Sequence, residues 1–166
     1  AAFKTMIKKN DGGYVLNGEK CYISGTAEAS EMDGGYFVSG YTDRPKGHKG
    51  MSALYMPINA SGVEITKRFD NMGRMAISTG GFKMTDVQLP KEYLLGEEGR
   101  GFYYTMEGFD AARVMVSASC IGAAQRALEL GMEYTKQRMV FGQPIAKFQG
   151  VQFDLADMAA HHEAIK

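Results

Sequence analysis

The chain has 166 residues, enough for one full domain or two small ones. Nineteen Lys and Arg balance nineteen Asp and Glu, and residues 1–95 (12 basic, 10 acidic) and 96–166 (7 and 9) are each near neutral, so no basic stripe points to nucleic acid or an anionic membrane. A hydrophobic content of 45% argues against disorder, and no apolar run reaches the ~18 residues of a membrane span.

The chain opens on Ala1-Ala2-Phe3-Lys4-Thr5, with no initiator Met, signal peptide or helix cap. It reads as a polypeptide entered partway through an element. Up to residue 95, 13 of the 21 glycines and all but one proline punctuate short segments of strand composition. Gly12-Gly13 is a turn. Tyr14-Val15-Leu16 and Cys21-Tyr22-Ile23-Ser24 flank Asn17-Gly18, a pair that tolerates positive φ and predicts a hairpin there. Further strands are predicted at Gly35–Thr42, Met51–Pro57, Val63–Lys67 and Gly81–Leu89. Short strands at this spacing predict an antiparallel β sandwich or barrel.

After Gly96 the apolar period changes from 2 to 3.6. Phe102, Met106, Phe109, Val114, Ser117, Ile121, Ala124 and Leu128 predict one long helix from about residue 100 to 137. Pro144 ends the helical pattern. Phe148, Val151, Leu155, Met158, His162 and Ile165, at steps of 3 and 4, predict a second helix from about residue 146 that is still running at Lys166. No strand is expected beyond residue 100. Two such helices cannot bury their stripes alone, so a packing partner is implied and the chain reads as a segment of a longer protein. The expected organisation is an α+β segment: a β domain over 1–95, then the start of a helical domain over 96–166.

Taken singly, the chemistry-bearing candidates are modest. Gly96-Glu97-Glu98-Gly99-Arg100-Gly101 precedes the long helix, but no further strand completes a dinucleotide-binding unit, so a strand-to-helix turn is the simpler reading. Asp154, Asp157 and His161 could share a helix face and hold a metal, yet that face opposes the apolar stripe and fits solvent better. No metal is expected. His162 lies on the stripe, as a packed histidine whose polar atoms are satisfied. Asp110 and Arg113 are spaced for an i,i+3 ion pair, and Arg138 near a helix end complements the helix dipole. Cys21 and Cys120 form neither a CxxC nor a disulfide scaffold, which fits a reducing, cytoplasmic setting.

In order along the chain stand Tyr14-Val15-Leu16-Asn17-Gly18-Glu19-Lys20-Cys21-Tyr22-Ile23-Ser24, Met72-Gly73-Arg74, Val87-Gln88-Leu89-Pro90, Leu95-Gly96-Glu97-Glu98-Gly99-Arg100-Gly101-Phe102, Arg138-Met139-Val140-Phe141-Gly142-Gln143-Pro144-Ile145, Phe148-Gln149 and Leu155-Ala156-Asp157-Met158. Together, and at this spacing, they resemble the acyl-CoA dehydrogenase family from end to end. The resemblance implies most of a middle β domain followed by the first two helices of a C-terminal helical bundle. It also implies FAD-dependent α,β-dehydrogenation of an acyl-CoA thioester, with electrons passed to an electron-transferring flavoprotein. A homo-oligomer, dimer or tetramer, in the cytoplasm or the mitochondrial matrix is implied as well.

Residue by residue, Tyr22-Ile23-Ser24 matches the family's Trp-Ile-Thr beside the flavin. Ser24 keeps a hydroxyl for flavin N5, and Tyr22 keeps an aromatic face where Trp is usual. Met106, Phe109, Asp110 and Arg113 match the positions that line the CoA tunnel. Arg138, Phe141 and Gln149 match positions that reach FAD held largely by a neighbouring subunit. Some members carry their catalytic glutamate immediately before the arginine matching Arg113, but here that residue is Ala112. The resemblance therefore assigns no catalytic residue within this chain and sets the base beyond Lys166. Two other readings compete: an acyl-CoA oxidase, flavin oxidase or monooxygenase using the same slot, and a non-catalytic binding or assembly segment.

Overall fold

The computed structural model describes residues 4–166. The reading of Ala1 to Phe3 as part of an interrupted element lies outside the described residues. The chain divides into two compact units, residues 1–107 and 108–166.

In the first unit, six strands form one sheet: β1 (Met6–Asn10), β2 (Gly13–Ser24), β3 (Gly35–Tyr41), β4 (Met51–Pro57), β5 (Val63–Phe69) and β6 (Thr79–Pro90), in the order β4-β3-β1-β2-β6-β5. Every pairing is antiparallel except β1 with β3, which touch in parallel at Met6 and Tyr41, so the sheet is mixed where an antiparallel one was predicted. Alternate residues of β2 (Tyr14, Leu16) and, on either side of a bulge, of β6 (Phe82, Met84, then Val87, Leu89) are buried and pack with Ile7 of β1, Val38 of β3 and Leu54 and Met56 of β4. Period-2 burial of this kind is what a sheet with one covered face requires.

The predicted hairpin moves. Asn17-Gly18 does not turn the chain: β2 runs straight through it. The turn lies at Asp11-Gly12, where the Asn10 side-chain oxygen accepts the Gly12 N–H at 3.1 Å, and β1 pairs with the first half of β2. Asn17 instead faces a bulge in β6. Its Nδ2 donates to Asp86 Oδ1 and its Oδ1 accepts the Asp86 N–H, both at 2.9 Å, with Asp86 at φ 50°. An Asn-Gly pair tolerates a turn but does not compel one when two neighbouring strands offer a longer ladder.

A short helix α1 (Thr26–Glu31), absent from the sequence expectation, follows β2. The long helix α2 (Gly101–Gln137) forms as predicted, and its first turn is seated on β4. The Gly99 N–H donates to Ser52 Oγ at 2.9 Å, Leu95 N–H to the Ala53 carbonyl at 2.9 Å, and a Cβ on Gly101 would lie 2.4 Å from the Ser52 carbonyl carbon. Only glycine permits this approach. With the Gly99 N–H so used and no βαβ unit following, the 96–101 segment is a strand-to-helix turn.

In the second unit, α2 continues to Gln137 and α3 (Gln149–Ile165) follows, three residues later than predicted and preceded by a single 3-10 turn over Ile145–Lys147. Between them lies a ladder that the sequence reading did not allow: β7 (Met139–Val140) pairs with β8 (Gln143–Pro144). Phe141 and Gly142 at its tip have φ of 50° and 78°, the two consecutive positive values that a tight hairpin needs. Two-residue strands carry no periodicity to detect.

Candidate functional site

Tyr22-Ile23-Ser24 closes β2. From Lys20 to Ile23 the strand advances three residues while β6 advances two, from Phe82 to Gly80. The resulting bulge puts Tyr22 at φ 59°, a left-handed conformation costing an aromatic residue on the order of 1–3 kcal/mol. Ile23 packs against the core, whereas Tyr22 is 74% exposed and Ser24 is exposed. The Tyr22 ring stacks on Phe69, with centroids 4.6 Å apart and planes 28° apart. Ser24 pairs with Thr79 of β6, which pairs in turn with Phe69 of β5, so the three strand ends form one row. Below it, Tyr36 donates its O–H to the Ser24 carbonyl at 3.0 Å.

The loop entering β6 is pinned beside this row. Ser78 Oγ accepts the Ala27 N–H at 2.9 Å, and the Ser78 carbonyl accepts the Gly25 N–H at 2.7 Å. Both Ser78 donors go to Glu28. The Ser78 hydroxyl first, then its N–H, holds the Glu28 carboxyl below its ordinary value. An open recess of about 220 Å³ lies here, bordered by Glu28, Arg68, Phe69, Arg74 and Ser78 among others.

Along α2, Met106 is half-buried, while Phe109 (51% exposed), Asp110, Ala112 and Arg113 lie open. Arg113 Nη1 pairs with Asp110 Oδ1 at 2.5 Å, with both side chains more than 70% exposed. The i,i+3 pair forms as its spacing predicts. Ala112 offers only a methyl group, on a face it shares with Phe109, Arg113 and Val116.

Arg138, Phe141 and Gln149 cluster around the β7–β8 hairpin. The Arg138 carbonyl accepts the Ile145 N–H at 2.9 Å, which fixes the backbone from which its exposed side chain projects. Its guanidinium has no hydrogen-bond or ion-pair partner among the described residues. Phe141 is 93% exposed at the hairpin tip and meets Phe148 edge-on at 6.5 Å. Gln149 is exposed at the first position of α3.

The structure thus brings the expected residues into two groups, Tyr22 to Ser24 in the first unit and Arg138, Phe141 and Gln149 in the second, with Phe109, Asp110 and Arg113 on α2. The first two groups suit the FAD that the resemblance implies. An exposed aromatic ring can receive a flat ring system, and an unpaired guanidinium can take a pyrophosphate. Phe69, Glu28 and Ser78 were not foreseen. Their only sequence signal is polar or aromatic character in or next to short elements, and their pairing is long-range.

Asp154, Asp157 and His161 are exposed, and no group of three or more His, Cys, Asp or Glu among the described residues could hold a metal. His161 nonetheless borders the α2–α3 groove, not the face opposite it. That groove, of about 410 Å³, is lined by Ala124, Leu128, Leu155, Met158 and Ile165, and by a buried His162. Neither His162 nitrogen has a partner among the described residues, so the expected satisfied histidine is packed but unsatisfied. No helix among the described residues is long and apolar enough to cross a membrane.

The family description "Acyl-CoA dehydrogenase, middle domain" matches residues 1–87, and "Acyl-CoA dehydrogenase, C-terminal domain" matches residues 99–166. The short-chain specific acyl-CoA dehydrogenase of Megasphaera elsdenii is 39% identical over 164 residues, 98% of this chain and 42% of that protein. An acryloyl-CoA reductase (NADH) of Anaerotignum propionicum is 40% identical over 161 residues, 97% of this chain and 40% of that protein. Among solved structures, a chain described under the electron transferring flavoprotein of Acidaminococcus fermentans superposes with a TM-score of 0.90 at 38% identity, covering 98% of this chain and 42% of that one. The chain spans about two-fifths of the length of the curated relatives it matches.

Proposed function

Because the chain belongs to the acyl-CoA dehydrogenase family, we propose that it forms part of an FAD-dependent enzyme that removes an α-proton and a β-hydride from an acyl-CoA thioester. The observation that carries this reading is the 39% identity to a short-chain specific acyl-CoA dehydrogenase over 98% of the chain. The flavin, when bound, supplies the acceptor for the β-hydride. The chain's own residues bind and orient. Tyr22 offers an exposed ring for flavin packing, and Ser24 a hydroxyl to hydrogen-bond it. Arg138, with Phe141 and Gln149, engages the cofactor of a neighbouring subunit in a homo-oligomer. Arginine suits that task because its planar fork grips a pyrophosphate in two places.

Met106 and Phe109 give the CoA tunnel its apolar wall, and Asp110 with Arg113 holds polar groups of the CoA moiety. In this reading Asp110, engaged by Arg113, binds and does not abstract the α-proton. With Ala112 where some members carry glutamate, the base belongs to a part of the protein outside residues 1–166. The middle and C-terminal domains meet at about residue 95. Both relatives' names specify an acyl-CoA reactant, and the first favours a short acyl group. The match to a chain described under an electron transferring flavoprotein supports such a protein as electron acceptor. The test is turnover of the intact protein with short-chain acyl-CoA in the presence of electron-transferring flavoprotein. The expected products are enoyl-CoA and reduced acceptor, without oxygen uptake. Stoichiometric oxygen uptake would make the protein an oxidase instead.

A further inference from the structure

Tyr22 combines features that are costly in isolation. It sits in a bulge at φ 59°, and its ring is 74% exposed. An exposed ring on a strand end samples several rotamers, and a ligand that stacks on it must freeze one of them. Here the ring already rests on Phe69, with centroids 4.6 Å apart and planes 28° apart. Phe69 is itself half-buried at the end of β5, opposite Thr79, and Lys67 Nζ stands 5.1 Å from its ring centroid. A half-buried ring therefore supports an exposed one at the strand row that carries Ser24.

We propose that Phe69 is a positioning residue for the flavin: by stacking on Tyr22 it fixes the plane on which the isoalloxazine packs. The inference rests on the flavin role given to Tyr22 above. Phe69 acts through Tyr22 and touches no reacting atom. Loss of its ring leaves Tyr22 to be ordered by the flavin itself, which weakens binding and loosens the flavin's fixed orientation. An aromatic pair of this geometry corresponds to roughly three- to tenfold in affinity.

The experiment compares Phe69→Leu, Phe69→Trp, Tyr22→Leu and the Phe69→Leu/Tyr22→Leu double variant of the intact protein. It titrates each apoprotein with FAD and records the visible circular dichroism of the bound flavin. Phe69→Leu is expected to raise the FAD Kd roughly three- to tenfold and change the flavin dichroism, and Phe69→Trp to restore both. On the Tyr22→Leu background, Phe69→Leu is expected to change nothing further. If Phe69→Leu leaves both readouts unchanged while Tyr22→Leu alters them, the positioning role is wrong and the flavin reading stands. If the effects of the two substitutions simply add, the positioning role is likewise wrong. If Tyr22→Leu leaves both readouts unchanged, the flavin reading of Tyr22 fails and takes this proposal with it. Should Phe69→Leu fail to give a cooperative melt, Phe69→Met removes the ring while keeping an unbranched apolar side chain and is read by the same criteria.

Discussion

Ser78 directs both of its donors to one carboxylate: its N–H reaches Glu28 Oε1 at 3.0 Å and its O–H reaches Glu28 Oε2 at 2.5 Å. The contact ties the loop that enters β6 to the helix that follows Ser24. It also fixes a direction of pH dependence. The Glu28 carboxyl is held below its ordinary value of 4.5, chiefly by the Ser78 hydroxyl. A carboxyl depressed in the folded state adds stability that is fully present above the ordinary value and is lost as pH falls through the lower folded value. Urea melts of the protein and of Glu28→Gln, taken on both sides of pH 4.5, should differ above it and converge below it. A constant difference across that range would contradict the account.

Gly101 and Gly108 lie on the same helix and should respond oppositely to alanine. A Cβ at Gly101 meets the Ser52 carbonyl carbon at 2.4 Å, whereas one at Gly108 meets nothing within 4 Å. Gly101→Ala should cost about 1–3 kcal/mol through forced backbone displacement. Gly108→Ala should gain up to about 1 kcal/mol from helix propensity. Denaturant midpoints of the two variants check both signs.

How much of this was legible in the sequence depends on how local each feature is. Strands β3 and β4 and helix α2 fall within a residue or so of their predicted bounds, because Gly, Pro and a change of period mark their ends. The partners of β2 were not legible. Asn17-Gly18 has the chemistry of a turn, but β1 and β6 flank β2 on its two edges, and their longer ladders win. The parallel contact of Met6 with Tyr41 joins residues 35 apart and leaves no mark on either segment. Tyr22, Ser24, Asp110 and Arg138 became site candidates through motif order. Phe69 escaped because it reaches Tyr22 only across β6, from a strand 47 residues further along the chain.

Asp110→Asn in the intact protein should leave stability almost unchanged, since an exposed i,i+3 pair contributes only about 0.3 kcal/mol. Its effect should fall on the KM for acyl-CoA, which is expected to rise about tenfold while kcat is largely kept. Steady-state kinetics at saturating substrate separates the two. Abolished α-proton exchange in that variant, with fold and FAD retained, would make Asp110 the base.

Arg138→Ala should release FAD more readily, by about tenfold in Kd, because a guanidinium on a phosphate gives charge-assisted hydrogen bonds that alanine cannot. Arg138→Lys should recover only part of the loss, since it keeps the charge but not the fork. The flavin-to-protein ratio after gel filtration measures both, and the elution volume reports any accompanying loss of assembly. An unchanged ratio would remove Arg138 from the cofactor site.

The most direct test is a single anaerobic addition of short-chain acyl-CoA to the flavin-loaded intact protein, followed by its visible spectrum. Loss of the oxidised-flavin absorbance, with one enoyl-CoA formed per flavin bleached, is the predicted result. An oxidised flavin left unchanged by a series of straight, branched and aromatic acyl-CoA thioesters would contradict the proposed dehydrogenation.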